Sequence, residues 1–297
     1  MSCRKLAETL EAYDGLELYC EIYKSPAPKG VIIAVHDYGE HIGIYQSIFE
    51  RCAEQSYTVY AMDLRGHGKS PGDRAFISAF DDFLDDLDLL LARVRDREAQ
   101  QAGNIFLLGQ CLGALIAARF AFTRQPRLQG LILCGPLLDL PLTRLERTLM
   151  QLSGPFFPER DFAPNIQSSW LEPKLAGPLR DDQLAFRGPL KLSTVREIAS
   201  ACAQLRGLHA KLDFGLLTLL GRQATPRQIQ LAEELQEAVL AADKTLLAYE
   251  NMDQNLLLHV ERDQVVGDIL EWCDKQRNPG SPAIVDDSEY GVEDEDL

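Results

Sequence analysis

NIFLLGQCLGALIAARFAF, residues Asn104 to Phe122, decides the fold. An apolar run of strand length, Ile105 to Leu108, meets Gly109-Gln110-Cys111-Leu112-Gly113, and a helix-length segment rich in alanine and leucine follows. The spacing predicts a strand, a tight turn and a buried helix. Glycines two before and two after a central residue allow the sharp strand-to-helix turn in which that side chain stands free at a helix N-terminus, the elbow written G-x-S-x-G. Here the central residue is Cys111. Taken alone, the motif is equally a glycine-flanked turn holding a buried thiol.

Working outward, the same rhythm recurs on both sides. Upstream, Gly30-VIIAV-His36 is a continuously apolar run of the kind buried on both faces of a parallel sheet, and it ends in Asp37-Tyr38-Gly39-Glu40-His41. Ligands usually sit in loops at that end of a strand. Ile44 to Gln55 reads as a helix, Tyr57 to Met62 as a strand, and Ile77 to Glu98 as an amphipathic helix with Phe80, Phe83, Leu84, Leu87, Leu90, Leu91 and Val94 on one face. Before all of these, Thr9 to Tyr13 and Leu16 to Tyr23 flank Asp14-Gly15, a hairpin signal. Downstream, Leu128 to Cys134 is another strand. Proline-punctuated helical stretches then run to about Leu212, including Leu145 to Leu152 and Ser193 to Lys211. The alternation returns with strand Phe214 to Leu220, helix Pro226 to Leu240, strand Lys244 to Tyr249 and helix Val260 to Asp274.

This order predicts an α/β protein with a mostly parallel, doubly wound sheet. The core comprises residues 1–136 and 212–277, residues 137–211 form an inserted helical cap, and 278–297 form an acidic tail expected to be disordered.

Composition narrows the function. The net charge is −15, and seven tail acids without a base supply about half of it. The remainder is still acidic, so nucleic acid and anionic membrane surfaces are poor partners. No leader-like apolar region opens the chain, no window has membrane-spanning length, and the cytoplasm is the expected location. Seven cysteines without CxxC spacing or a Cys/His cluster exclude a disulfide framework and a structural zinc site. No metal and no cofactor is expected.

At this point the motifs join into one likeness. His36 to His41 is similar to an HGxGEH loop, Asp63-Leu64-Arg65-Gly66-His67-Gly68-Lys69-Ser70-Pro71-Gly72 to a DxRGHGxSxG stretch, and Gly109 to Gly113 to a GHSxG elbow. In that order they resemble the monoacylglycerol lipase and lysophospholipase branch of the α/β-hydrolases, from about Glu11 to Gln276. The resemblance implies an α/β-hydrolase fold and a serine esterase whose Ser, Asp and His cleave a fatty-acyl ester beneath the cap.

Carried over residue by residue, the resemblance gives an altered triad. The nucleophile position is Cys111. The acid position, ending an LHGxxD run, falls in Leu220 to Ala224 on Ala224, and the base position, in a YxGxxHE run, falls in Tyr249 to Asn255 on Gln254. The amides of Tyr38 and Leu112 would form the oxyanion hole, and Asp37, replacing the glycine after His36, would set a negative charge beside them. A Gln254 amide has no basic nitrogen to shuttle a proton. A thiol at a helix N-terminus can be acidified, and on that ground Cys111 is expected to be the most alkylation-prone of the seven.

Three readings follow. One is a pseudoenzyme that binds an acyl-type ligand or a protein partner. The second is a hydrolase using Cys111 with a base brought from the cap, His36 or His259. The third makes Cys111 a redox or electrophile sensor. Asp139 is a candidate relocated acid, Phe156 and Phe157 are candidates to line an acyl pocket, and Arg65 and His67 are expected to brace their loop. Thr225-Pro226-Arg227-Gln228 reads as a capped helix start.

Overall fold

A computed structural model describes residues 3–101, 103–153, 157–162, 182–206, 211–241 and 243–277. The expected tail and Phe156 lie outside them.

Among the described residues there are ten strands: β1 (Arg4–Glu11), β2 (Glu17–Lys24), β3 (Gly30–Val35), β4 (Tyr57–Met62), β5 (Ile105–Gln110), β6 (Gly130–Cys134), β7 (Lys211–Leu212), β8 (Gly215–Gly221), β9 (Leu240–Ala241) and β10 (Lys244–Tyr249). Eight form one sheet in the order β1-β2-β4-β3-β5-β6-β8-β10, and β7 pairs with β9 separately. From β4 to β10 all neighbours are parallel. The β1–β2 hairpin joins through an antiparallel β2–β4 pair, so the sheet is mixed, not wholly parallel. The hairpin turns at Asp14-Gly15, but its first strand starts at Arg4, five residues before the expected Thr9.

The described residues also form seven α-helices: α1 (Gln46–Glu54), α2 (Asp81–Arg97), α3 (Leu112–Arg124), α4 (Arg144–Ser153), α5 (Leu192–Arg206), α6 (Pro226–Ala238) and α7 (Arg262–Arg277). Side chains alternate between the two faces of the sheet. Val31, Ile33 and Val35 pack with α2, α3, α5 and α6, whereas Ile32 and Ala34 pack with α1 and α7. Double coverage is why the central strands read as unbroken apolar runs. Helix α3 is buried from Leu112 to Phe122, including Arg119, which accounts for its lack of a polar face.

A helix start and a helix end differ from the periodicity. Helix α2 begins at Asp81, not Ile77, because the Ile77 amide donates to Thr194 Oγ1 at 3.0 Å and the Phe80 amide to Glu197 Oε2 at 3.2 Å. These bonds to α5 hold Ile77 to Phe80 in an irregular connection. Helix α5 ends at Arg206, and Lys211 begins β7.

After β3 the chain crosses to β4 on one side and then to β5 on the other, so the sheet order reverses between β3 and β5. Such a reversal opens a crevice beyond the carboxyl ends of the strands. The register aligns those ends: Val35 faces Gly109, Gln110 faces Cys134, and Gly221 faces Tyr249. Loops starting at residues 36, 111, 135, 222 and 250 therefore share one edge.

Candidate active site

The turn from β5 to α3 is set by two close approaches. A Cβ at Gly109 would lie 2.3 Å from the Gly113 carbonyl oxygen, and one at Gly113 would lie 2.2 Å from that of Val35. Only glycine permits the helix to start so near both strands. Cys111 sits between them at φ 47° and ψ −105°, a positive φ that an L-residue adopts under constraint. Its backbone is held at both ends. The amide donates to the Cys134 carbonyl at 3.0 Å, and its carbonyl accepts from Ala114, Leu115 and Leu137, each at 3.1 Å.

The Cys111 side chain is only 4% exposed. Gln110 Nε2 donates to the sulfur at 3.0 Å, and the thiol faces Asn255 Oδ1 at 3.3 Å and the Gln254 carbonyl oxygen at 3.5 Å. Burial pushes the thiol well above its ordinary range, and the carboxylates of Asp37 and Glu40 add to the shift. This corrects the expectation of an acidified thiol, because a helix N-terminus does not offset desolvation together with two negative charges. The expectation of highest reactivity falls with it: Cys3 is partly exposed, and the other six cysteines are buried.

Asp37 is 6% exposed, and its Oδ1 accepts from both the Tyr38 amide at 2.7 Å and the Leu112 amide at 2.9 Å. These are the two amides expected to form the oxyanion hole, and their donor distances are those a developing oxyanion would need. A carboxylate oxygen of the chain itself occupies the spot. Burial pushes the Asp37 carboxyl up to about 7 against the pull of the two amides. Glu40, 2% exposed and bonded by Tyr45 Oη, is pushed up to about 8 by burial and then by the charge of Asp37.

The mapped triad partners lie in loops at the same edge but bring no acid or base to the thiol. Gln254 turns its side-chain nitrogen to the Gly135 carbonyl at 3.1 Å, and only its backbone faces Cys111. Ala224 is in the turn between β8 and α6, with its amide bonded to Gly221 at 3.1 Å. The Gln223 amide donates to the Met252 carbonyl at 2.8 Å, so the two loops are tied together.

The candidate replacement groups are engaged elsewhere. His36 donates from Nδ1 to the Asp37 carbonyl at 2.7 Å and accepts at Nε2 from the Leu64 amide at 2.9 Å. Burial lowers its basicity strongly, and its one lone pair is taken, so it cannot act as the base of a rewired site. His259 accepts from the Glu261 amide at 3.2 Å, a local contact at a helix start. His41 bonds Asp182 at 2.9 Å. Phe186 donates its amide to Gly39 at 2.7 Å, so residues 182–186 are pinned to the loop that carries Asp37. Asp139 is surrounded by arginines and is not a relocated acid. Phe157 is 54% exposed and does not line an interior pocket.

Arg65 does brace its loop, gripping Asp86 with two bonds at 2.8 and 2.6 Å. His67 is fully buried against Tyr38, with ring centres 5.5 Å apart. Three residues at the site were not assigned roles from sequence: Gln110, Asn255 and Glu40. Asn255 is one position beyond Gln254, and only the loop's path decides which of the two faces the thiol. Among the described residues no group of His, Cys, Asp and Glu side chains is placed to hold a metal, and no helix is long and apolar enough to cross a membrane.

Known proteins share this fold. The profile of the family described as "Serine aminopeptidase, S33" matches residues 26–261. Human monoglyceride lipase is 28% identical over 263 residues, covering 86% of this chain and 85% of its own length. The crystal structure of Paleococcus ferrophilus monoacylglycerol lipase superposes with a TM-score of 0.74 at 22% identity, covering 88% of this chain and 99% of that one. A soluble variant of Saccharomyces cerevisiae monoglyceride lipase, solved with a substrate analog, gives a TM-score of 0.72 at 19% identity, over 91% of this chain and 95% of that one. With a family profile matched along most of its length and an elbow, a crevice and a sheet order of this kind, the chain belongs to the serine aminopeptidase S33 family and is a monoglyceride lipase-like α/β-hydrolase in fold.

Proposed function

We propose that this protein is a pseudoenzyme of its family, holding an acyl-type ligand beneath a cap formed by residues 137–211 without hydrolysing it. The observation that carries the reading is Asp37 Oδ1, bonded to the Tyr38 and Leu112 amides at 2.7 and 2.9 Å. A tetrahedral intermediate needs those amides for its own oxyanion, and here it would have to displace a buried carboxylate and then endure its charge.

The remaining positions support the same reading. At the nucleophile position, Cys111 is a buried thiol held in its protonated form. Ala224, at the acid position, orients nothing, and Gln254, at the base position, accepts no proton. In subtilisin, loss of the base alone costs roughly as much as loss of the whole triad, about 10⁶ in turnover. The acyl ligand is suggested by the lipase relatives, one of which was solved with a substrate analog. Seven free thiols suit the reducing cytoplasm.

The test is steady-state hydrolysis of monoacylglycerol and of short p-nitrophenyl esters by the purified full chain. No turnover is expected. A rate that disappears in Cys111→Ala would overturn the proposal in favour of an active hydrolase using this thiol. In the same assay, Asp37→Gly combined with Cys111→Ser, Ala224→Asp and Gln254→His should gain measurable activity, while each single change should not, since triad members act as a unit. Failure of the folded quadruple variant would turn the reading from an acyl ligand to a protein partner.

A further inference from the structure

Elsewhere among the described residues, the paired arginines of this acidic protein each meet at least one carboxylate of their own. Arg65 meets Asp14, Asp82 and Asp86, Arg124 meets Asp85 and Asp88, and Arg97 and Arg222 each meet one glutamate. One place inverts the ratio. Asp139, in the connection after β6, is met by Arg147 from α4 at 2.9 Å, Arg206 from α5 at 3.4 Å and Arg227 from α6 at 3.7 Å. One carboxylate cannot neutralise three guanidiniums, so among the described residues this cluster carries an excess of two positive charges.

Donor accounting points the same way. Asp139 Oδ1 is shared by Arg147, Arg206 and the Leu140 amide, while Arg227 stands beyond hydrogen-bond range of Oδ2. Arg147 and Arg206 each spend further donors on the carbonyls of residues 138 to 142, and Arg227 reaches Gln230. Among the described residues, Nη1 of Arg147, Nη2 of Arg206 and Nη2 of Arg227 make no hydrogen bond, and the three side chains are 32, 31 and 52% exposed. Arg227 also lies in the first turn of α6, which carries no acid to offset its positive end. Forked donors from three helices, reachable from solvent, match a tetrahedral oxyanion.

We propose that Arg147, Arg206 and Arg227 form a binding site for a phosphate-class anion, either a free phosphate or the phosphate of an acylated ligand. The Leu137 amide bonds the Cys111 carbonyl, so Asp139 stands two residues along the chain from a residue tied to the elbow. The site does not depend on the absence of turnover, because a competent Cys111 would leave phosphate binding unchanged.

The experiment is calorimetric titration of the full chain with inorganic phosphate at constant ionic strength. Saturable binding is expected, weakened about tenfold or more in Arg206→Gln/Arg227→Gln, as for loss of charge-assisted contacts. Arg222→Gln, which breaks a pair between the turn after β8 and Glu233 on α6, should not change it. Asp139→Asn should tighten it, which a purely structural carboxylate would not do. Tighter binding of a single-chain acyl glycerophosphate than of phosphate or the matching monoacylglycerol identifies a lipid headgroup; phosphate binding without that gain identifies a free phosphate. No saturation at 10 mM phosphate, roughly a hundredfold above a Kd that would matter, or equal binding by the double variant, overturns the site.

Discussion

The turn at Cys111 and the loop at Asp37 meet at the same edge of the sheet, yet they answer to different constraints. The turn is fixed by backbone: Gly109 and Gly113 allow approaches that any side chain would block, and Cys111 is held at positive φ by four backbone bonds. The loop is fixed by a side chain. Asp37 Oδ1 ties the amides of Tyr38 and Leu112, and through Leu112 it binds the loop to the turn itself. A scaffold built from glycines and strand ends can thus keep its shape while the groups it presents change completely. Fold similarity to lipases therefore speaks for the turn and not for the loop.

The largest expected effect tests the backbone half of that comparison. Gly113→Ala would drive a Cβ to 2.2 Å from the Val35 carbonyl and 2.6 Å from that of His36, and it should destabilise the fold by about 3 kcal/mol or more. Gly267→Ala in α7 meets nothing within 4 Å and should stabilise by about 0.5–1 kcal/mol. Urea midpoints of the two variants would decide, and equal effects would mean that the turn is not constrained as described.

The second tests the side-chain half through pH. The folded-state value of Asp37, about 7, lies above its ordinary 3.8, so the folded chain holds this proton more tightly than the unfolded chain. The associated stability is complete below about pH 4 and is lost as the pH climbs to 7. Asp37→Asn keeps an acceptor for both amides and carries no charge. It should match the parent at pH 4 and exceed it by roughly 2–4 kcal/mol at pH 8. Part of that gain comes through Glu40, whose carboxyl Asp37 helps to push up. A difference between the two proteins that does not vary with pH would show that Asp37 is well solvated.

Much of the sheet is legible in the sequence because burial on both faces leaves a plain signal. Tyr57–Met62, buried throughout, begins and ends where its apolar run does, and so does the edge strand Lys244–Tyr249, although only Tyr249 of it is buried. The capped start of α6 is legible too, since Thr225 Oγ1 accepts from the Gln228 amide at 3.3 Å. Yet Gln228 does not close a capping box; its side chain crosses to Leu138 and Asp139. That kind of contact is where local reading stops. Ile77 to Phe80 continue a helical pattern, and bonds from α5 stop it. At the site, spacing brings a carboxylate near the Tyr38 and Leu112 amides, but it does not say that one oxygen takes both. Nor does it say that Gln254 turns away to Gly135 while Asn255 meets the thiol. The upward push on the Cys111 thiol escapes the sequence for the same reason: helix position is written there, whereas burial beside Asp37 and Glu40 arises only on folding.

The smallest expected effect is a reaction that does not occur. Attack on an alkylating agent requires a thiolate with room to approach, and Cys111 has neither: it is 4% exposed, its proton is held by burial and two acidic neighbours, and Gln110, Asn255 and the Gln254 carbonyl surround the sulfur. Cys3 is different. Burial and the charges of Glu50 and Glu54 raise its pKa as well, but its sulfur lies at the partly exposed start of β1. Brief iodoacetamide treatment of the native chain, followed by mass spectrometry, should therefore modify Cys3 and leave Cys111 intact, while denaturant should expose all seven cysteines. Labelling of Cys111 at the rate of Cys3 would mean that the turn opens on the timescale of the reaction. The contrast between a rigid elbow and an exchangeable loop would then collapse, because the elbow itself would be mobile. Slow labelling of Cys111 that accelerates in Asp37→Asn would sharpen the contrast, since it would assign the barrier to the carboxylate in the hole and not to the backbone around the thiol.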